Sequence, residues 1–496
     1  MRFRLGPPLA LAGLFLVHTG TFAQSIGPLK TALDPILDAS PMENAWWGAV
    51  VVDVESGDVL YNRNGGRSFV PASNTKLFTT AAALDLLGPD YRWVTNVYID
   101  GNVVHGELQG NLIVRGSGDP SIGARYSNGD PTHVFRAWAD SLRRAGVRVI
   151  RGDVIGDDDV FDDVPYGEAW SWDDEQFAYA AAINGLPFND NVIDVTITAR
   201  RTSEPGNVSW EPDRTDYVLI VNRTITTQLG TRLKEGYKRR RGTNIIELTS
   251  EVPQGRTDHE SLSVHNPTGY FVHVLRQTLQ REGIAVDGRA VDVDELSIRP
   301  QYSNPRYRRI ASYQSPPLSV IAETVNTESQ NLYAELLLRT LGVEMPLQNS
   351  GNRETGSAEA GLQVAQATYL AAGVDTSRLQ LVDGSGLSRK NLVTPSMTAA
   401  LLQYMASHEE AAVREAFIGS LAVGGQTGTL AWRFVNGPEV RAKTGSLGNI
   451  SSLAGYVTSQ SGASLVFVLM CNNYTVKQSV IRRAQDRVVT RVATWH

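Results

Sequence analysis

Ser73 and Lys76 are the residues of this sequence whose types and spacing most directly suggest chemistry. They stand in the stretch 71–76, Pro-Ala-Ser-Asn-Thr-Lys, where an alanine- and leucine-rich run that predicts a helix begins. Residues three apart share a helix face, so the hydroxyl and the amine point into the same space. A lysine whose pKa is lowered by burial can take the serine proton and make the serine a nucleophile. Backbone N–H groups at the helix start would hold an oxyanion beside it.

The scarcity of lysine gives this pair more weight. Among 46 basic residues the chain has seven lysines, at positions 30, 76, 234, 238, 390, 443 and 477. Arginine stays charged at any working pH, so it cannot replace a lysine that must lose its proton. The pair at 73 and 76 is also the only Ser-x-x-Lys in the chain. The alternative for such a motif standing alone is a helix-capping serine followed by a surface lysine.

A Ser-x-Asn triplet, Ser329-Gln-Asn331, lies at the junction of two predicted helical segments. Its hydroxyl would relay a proton, and its carboxamide would orient a substrate amide. The triplet at 350–352 matches the same pattern, but it lies in a polar glycine- and serine-rich loop with nothing rigid to position it. We therefore take Ser329 and Asn331 as the candidates.

A third triplet, Lys443-Thr444-Gly445, ends a β-branched run and is followed by Ser446. A cation and a hydroxyl on an edge strand would bind a substrate carboxylate. The glycine would let a peptide lie close against the backbone. Taken alone, a Lys-Thr-Gly is also typical of an ordinary turn.

Composition sets the limits within which these groups must work. A chain of 496 residues predicts two or three domains. With 42% apolar and 20% charged residues it is typical of a soluble globular protein, and its net charge of −6 argues against a nucleic-acid binder. A basic start, an apolar run at 9–17 and small residues before position 24 predict a signal peptide cut after Ala23. No later stretch is apolar and long enough to span a bilayer, so we expect an exported, periplasmic protein.

The predicted elements place the three triplets in one α/β domain with a long insertion. A hairpin at 46–61 precedes the Ser73 helix, while helices at 317–372 and strands at 439–471 surround the other two triplets. Between them lie short alternating strands and two helices, at 133–145 and 270–282. We predict four regions: a signal peptide, 1–23; a peptidase domain, 24–88 and 306–496; an inserted α/β domain, 89–175 and 263–305; and an inserted β-rich domain, 176–262.

Together and in this order, the three triplets form the signature of penicillin-recognising serine enzymes. The chain resembles the D-alanyl-D-alanine carboxypeptidase/endopeptidases of the class C low-molecular-mass penicillin-binding proteins, the penicillin-binding protein 4 type. The gap of more than 250 residues between Ser73 and Ser329 is typical of that type. The stretches 383–392 and 428–430 also resemble this family, and the resemblance is weakest over 176–262. It implies a penicillin-binding/β-lactamase-like transpeptidase domain, an antiparallel sheet flanked by helices, with large insertions.

The resemblance also implies a role for each residue of the triplets. Ser73 would attack the carbonyl of a D-Ala-D-X bond in a peptidoglycan stem peptide, and β-lactam antibiotics would acylate the same serine. Lys76 would be the base, and Ser329 would pass the proton to the leaving amine. The remaining groups would hold the substrate: Asn331 the acyl amide, Lys443 and Thr444 the terminal carboxylate, and the N–H groups of Ser73 and Ser446 the oxyanion. No metal or cofactor is implied.

The inserted domain of such enzymes helps to recognise the free end of a diaminopimelate side chain. Asp157-Asp158-Asp159 resembles that region, and we take Asp158 as the candidate acid, with a solvated acidic turn as an equal alternative. Two other functions stay open: a β-lactamase or esterase that uses the same Ser/Lys site, and a non-catalytic peptidoglycan-binding protein. The C-terminal helix, 480–495, carries arginines that would allow a loose membrane association, although its valines favour packing on the sheet. The oligomeric state does not follow from the sequence.

Overall fold

The computed structural model describes residues 26–212, 215–345 and 355–495. The predicted signal peptide and most of the polar loop around 349–357 lie outside these residues. The helices of the described residues are α1 (Ile26–Leu37), α2 (Thr75–Leu87), α3 (His133–Arg144), α4 (Pro267–Arg281), α5 (Leu318–Glu323), α6 (Asn331–Glu344), α7 (Ala358–Ala371), α8 (Pro395–Ala406), α9 (Ala411–Gly419) and α10 (Gln478–Ala493).

The strands alternate with these helices and group at the two ends and in the middle of the chain. They are β1 (Trp46–Asp53), β2 (Val59–Arg63), β3 (Val94–Ile99), β4 (Asn102–Val104), β5 (Glu107–Gln109), β6 (Leu112–Arg115), β7 (Val149–Ile150), β8 (Val154–Asp157), β9 (Val192–Thr198), β10 (Asn207–Glu211), β11 (Leu219–Asn222), β12 (Ile225–Thr227), β13 (Tyr237–Arg239), β14 (Ile245–Leu248), β15 (Glu251–Pro253), β16 (Thr257–Ser263), β17 (Ala285–Val286), β18 (Ala290–Asp292), β19 (Arg308–Gln314), β20 (Ala422–Val423), β21 (Val440–Leu447), β22 (Ile450–Thr458) and β23 (Ser464–Asn472).

The first and last strands of the chain share one antiparallel sheet, in the order β2-β1-β23-β22-β21-β20. Strand β1 pairs with β23 from Trp46 opposite Asn472 to Asp53 opposite Leu465. Nearly every residue of β22 and β23 is buried, because helices cover both faces of the sheet. A sheet covered on both faces selects continuous apolar runs instead of strict alternation. The two triplet-bearing ends of the chain therefore meet in this sheet.

Helix α2, which begins right after Ser73, lies at the centre of the helical layer. Its residues from Thr75 to Leu84 are all buried. A helix that is buried on every side packs among other elements instead of covering a surface, and α2 contacts α6, α7, α8 and α9. The sequence predicted α2 and α6 but did not predict α1, α8 or α9.

The inserted residues build separate sheets. The order β18-β8-β6-β3-β19 describes one sheet, and β9, β10 and β16 form another. Strand β19 pairs with β3, from Arg308 opposite Ile99 to Gln314 opposite Val94. The inserted sheet thus extends to Gln314, beyond the predicted boundary at 305. The division into domains remains a prediction, which these pairings otherwise support.

Helix α10 packs its valines inward, as the sequence favoured. Val488, Val489 and Val492 are fully buried, and the helix contacts α1 and β22. Within the described ranges, none of the helices is both long and apolar enough to cross a membrane.

We predict that Gly361→Ala destabilises the protein. A Cβ at this position of α7 would lie 1.9 Å from the carbonyl oxygen of Leu338 on α6, so the two helices would have to separate. Overpacking of this kind costs about 1–3 kcal/mol, which exceeds the gain of about 1 kcal/mol in helix propensity. The urea midpoint should fall. Gly419→Ala, at the open end of α9 with no atom within 4 Å of the new Cβ, should leave it unchanged or raise it slightly. Equal midpoints for both variants would contradict the close approach of α6 and α7.

Candidate active site

Ser73 lies in a single 3₁₀ turn, Ala72–Asn74, directly before α2. Ala72 is fully buried and has a φ of 48°, a conformation that costs a non-glycine residue about 1–3 kcal/mol. The turn is held from the sheet, because Ser452 Oγ on β22 lies 2.6 Å from Pro71 O and 2.7 Å from Asn74 Oδ1. The nucleophile candidate is thus fixed on a turn clamped between the helical layer and the sheet.

Lys76 joins the first two triplets. Its Nζ lies 3.2 Å from Ser73 Oγ, 2.5 Å from Asn331 Oδ1 and 2.6 Å from the carbonyl oxygen of Ser385. A neutral amine has two N–H groups, which the Asn331 and Ser385 oxygens accept. Its lone pair is then left facing Ser73 Oγ, where a proton can be taken.

Burial tunes the charge of this amine. Lys76 is fully buried, and burial lowers the pKa of its ammonium to about 7, while the carboxylates of Asp383 and Glu335 act in the opposite direction. A base with a pKa near the working pH combines a useful neutral fraction with useful basicity. The geometry and the pKa therefore agree on Lys76 as the group that can deprotonate Ser73.

Glu335, on α6, fixes the carbonyl that faces Lys76. Its Oε1 accepts the N–H groups of Gly384 at 3.0 Å and Ser385 at 2.8 Å, and its Oε2 accepts from Arg339 Nη1 at 3.0 Å. Both Glu335 and Arg339 are buried. The three triplets do not include this pair, although an acid inside the apolar stretch 332–338, with an arginine four residues on, indicates a buried ion pair.

Asp383 closes the same loop from the other side. It accepts the N–H groups of Gly386 at 2.8 Å and Ser388 at 2.7 Å, and the Asn391 amide at 2.6 Å. Trp170 Nε1, from the inserted residues, donates to it at 3.0 Å. The family resemblance had pointed to this stretch without giving it a role.

Ser329 occupies an unusual backbone position. It follows a π-helical turn, Thr324–Glu328, and has a left-handed conformation with a φ of 67°. Both features are enriched at functional sites. Lys443 Nζ donates to Ser329 Oγ at 2.8 Å, so the second and third triplets meet as well. Asn331 then begins α6.

Side chains on β21 alternate between two environments. Lys443 is fully buried, with a pKa lowered by burial and by the nearby charge of Lys76, whereas Thr444 and Ser446 open onto a cavity. Gly445 faces inward: a Cβ there would lie 2.1 Å from Ser452 Oγ and 2.7 Å from Pro71 O. The glycine is thus required by the packing of the strand against the Ser73 turn, and its contact with a bound peptide stays a prediction.

The cavity has a volume of about 600 Å³ and gathers the three triplets. The predicted site residues that line it are Ser73, Ser329, Asn331, Thr444 and Ser446. Lys76 and Lys443 lie beneath them, each in contact with a serine of the site.

Asp158, the candidate acid from the sequence, does not line this cavity. Its Oδ2 accepts a hydrogen bond from Thr268 Oγ1 at 2.5 Å, on α4 of the inserted residues, and burial raises its pKa to about 7. The acid that lines the cavity is Asp174, together with Tyr179, whose hydroxyl donates to Asp174 Oδ1 at 2.7 Å. Asn331 Nδ2 donates to the carbonyl oxygen of Tyr179 at 2.6 Å. The acidic pair at 173–174 is a second candidate that the sequence contains besides the run at 157–159.

Three comparisons with known proteins show the family and the fold of this chain. The model of the D-Ala-D-Ala carboxypeptidase 3 (S13) family matches residues 29–495. A D-alanyl-D-alanine carboxypeptidase of Actinomadura sp. (strain R39) is 32% identical over 504 residues, which cover 98% of this chain and 88% of that protein. The D-alanyl-D-alanine carboxypeptidase DacB of Haemophilus influenzae is 25% identical over 86% of this chain and 85% of its own.

The crystal structure of penicillin-binding protein 4 (dacB) from Haemophilus influenzae superposes with a TM-score of 0.78. The match covers 95% of this chain and 99% of that one, at 21% identity. It confirms the predicted fold class, a penicillin-binding/β-lactamase-like domain with insertions. The chain therefore belongs to the D-Ala-D-Ala carboxypeptidase 3 (S13) family, and it is a serine-type D-Ala-D-Ala carboxypeptidase.

Proposed function

We propose that this protein hydrolyses D-Ala–D-X peptide bonds, both at the ends of peptidoglycan stem peptides and in the cross-links between them, through an acyl-enzyme on Ser73. The observation that carries the proposal is the buried amine of Lys76, whose Nζ lies 3.2 Å from Ser73 Oγ. Membership of a family of D-Ala-D-Ala carboxypeptidases supports the substrate class. We place the reaction in the periplasm, after cleavage of the predicted signal peptide.

Acylation begins when Ser73 Oγ attacks the acyl carbonyl carbon and its proton passes to Lys76 Nζ. The Ser329 hydroxyl gives a proton to the leaving nitrogen as the C–N bond breaks. The proton that Lys76 took from Ser73 then replaces it, so that Lys76 is neutral again when the amine leaves. Because Lys443 donates to Ser329 Oγ, the hydroxyl proton of Ser329 is free to point into the cavity. Deacylation repeats these transfers in reverse, with water in place of the amine, and Lys76 ends neutral again.

The acyl side of the substrate would be recognised by a pair of opposite charges. The free end of a diaminopimelate side chain carries an ammonium and a carboxylate. Asp174 lines the cavity, and Arg389 donates to the carbonyl oxygen of Gly448, which also lines it, at 2.8 Å. An acid for the ammonium and an arginine for the carboxylate are therefore both available, and Asp174 replaces Asp158 in this role.

A β-lactamase and a non-catalytic binding protein remain the alternatives. A solved structure of the Haemophilus influenzae protein holds a β-lactam, with a TM-score of 0.71 and 21% identity to this chain. The contacts of Lys76 Nζ with Ser73, Asn331 and Ser385 argue against a protein that binds peptidoglycan without catalysis. The lifetime of the acyl-enzyme separates a peptidase from a β-lactamase.

Incubation with benzylpenicillin should add one penicilloyl mass to the wild type and none to Ser73→Ala, as measured by intact-protein mass spectrometry. Ser56→Ala, in an exposed turn, should be acylated like the wild type. Rapid turnover without a lasting adduct would favour the β-lactamase. If the wild type showed no adduct and no penicillin turnover, that result would contradict the proposed active site. Hydrolysis of cross-linked muropeptides would then demonstrate endopeptidase activity, and hydrolysis of uncross-linked muropeptides would demonstrate carboxypeptidase activity.

The rate of acylation by benzylpenicillin should depend on pH through Lys76. Only the neutral amine accepts the Ser73 proton, so the rate should fall tenfold per pH unit below about 7 and level off above it. In Lys76→Arg the base stays charged, and the rate should be lower by about 100-fold or more at every pH. Lys390→Arg, at an exposed ion pair with Glu168, serves as the control and should keep the wild-type profile. A wild-type profile in Lys76→Arg would exclude Lys76 as the base.

Asp174→Asn should lower kcat/KM about tenfold or more for stem peptides with a free diaminopimelate ammonium, because a charge-assisted hydrogen bond is lost. Peptides acetylated at that amine should be cleaved equally by both enzymes. The neighbouring variant Asp173→Asn is the control, since Asp173 does not line the cavity. Equal losses on both peptides would show that Asp174 supports the fold of the site instead of reading the side chain.

A further inference from the structure

The terminal carboxylate of the substrate needs a cation, and the geometry of β21 bears on which one. Lys443 is fully buried beneath the strand, where its ammonium donates to Ser329 Oγ at 2.8 Å and to the carbonyl oxygen of Thr444 at 2.9 Å. Burial and the charge of Lys76 both lower its pKa. Lys443 is therefore already engaged with the proton relay, and its burial disfavours the charged form.

The hydroxyl groups of Thr444 and Ser446 are the polar side chains of β21 that face the cavity. Residues two apart on a strand point to the same side, and both of these line the cavity. Thr444 Oγ1 also donates to Thr429 Oγ1 at 2.9 Å, although such a hydroxyl can rotate toward a ligand. Two neighbouring hydroxyl donors suit the two oxygens of a carboxylate, but they bring no charge.

Arg482 supplies a positive charge beside Ser446. It lies on the first turns of α10, lines the same cavity, and its Nη2 lies 3.4 Å from Ser446 Oγ. Asp486, four residues on, would be its natural partner, but that carboxylate accepts from Arg433 Nε at 2.9 Å and Nη2 at 2.6 Å. Among residues 26–212, 215–345 and 355–495, no carboxylate lies within ion-pair distance of Arg482.

Building on the proposed function, we propose that Arg482, together with the hydroxyls of Thr444 and Ser446, binds the terminal carboxylate of the D-amino acid that leaves. The guanidinium stays charged at any working pH and presents paired N–H groups that match a carboxylate. Arg433 adds positive charge at the same end of the cavity, although Asp486 largely neutralises it. The two cations then have separate roles: Lys443 orients Ser329, and Arg482 binds the terminal carboxylate of the substrate. It replaces the sequence-based role of Lys443.

The test pairs an enzyme variant with a change in the substrate. Two acyl-D-alanyl esters are used, one with D-lactate and one with D-lactamide as the leaving group, so that they differ in the carboxylate alone. Arg482→Gln should lower kcat/KM for the lactate ester about ten- to a hundredfold, mainly through KM, and change that for the lactamide ester less than twofold. Arg482→Lys should recover part of the loss. The control is Arg483→Gln, at the next and equally exposed position of α10, which should behave as wild type on both esters.

Three results would overturn the proposal. Equal losses on both esters would mean that Arg482 supports the fold of the site and not the carboxylate. No loss on the lactate ester would leave Arg482 an ordinary surface cation. A wild-type enzyme that hydrolyses neither ester and forms no penicilloyl adduct would remove the proposed function together with this inference. A wild type that is acylated by penicillin and cleaves both esters keeps the function intact, whatever the Arg482 variants do.

Discussion

The structure depends most on keeping one amine, that of Lys76, out of water. A buried ammonium loses its hydration, and a pKa near neutrality results only when nearby carboxylates offset part of that loss. Here α2 carries the amine, α6 carries Glu335, and the loop after residue 382 carries Asp383 and the Ser385 carbonyl. Lys76 is more than 250 residues away from these other groups in the chain, so the local chemistry exists only because the whole helical layer closes around it.

The inserted residues take part in this arrangement instead of forming an independent appendage. The segment 166–180, which we call the bridging segment, runs from the inserted sheets to the mouth of the cavity. On one side its Tyr179 carbonyl accepts the amide of Asn331 at 2.6 Å; on the other, the carbonyl of Glu175 accepts from Arg239 Nη2 at 2.8 Å. Arg239, in the basic run 238–241, is buried. The far insertion thus helps to set the position of the active-site wall.

The sequence was most informative where the chemistry is local. Ser73 and Lys76 lie one helical turn apart, so their meeting follows from helix geometry, and the family resemblance supplied the order of the triplets. The sequence was less informative where the answer depends on which distant strand lies alongside. Gly445 packs against the Ser73 turn, and β19 pairs with the inserted sheet. Asp158 and Asp174 both sit in acidic turns, and only the folding of the insertion decides which of them reaches the cavity.

The position of β1 between β2 and β23 also governs when the enzyme can first work. The strand that precedes the nucleophile pairs with residues 465–472, some 400 positions later, and β21 with the third triplet lies two strands further into the sheet. Contacts between such distant segments form late, because a long loop must close first. During synthesis the chain therefore carries its reactive serine on an unfinished sheet, without the clamp from Ser452. We expect hydrolytic activity to appear only after nearly the whole chain has emerged, so that a partly made molecule does not yet cleave its substrate.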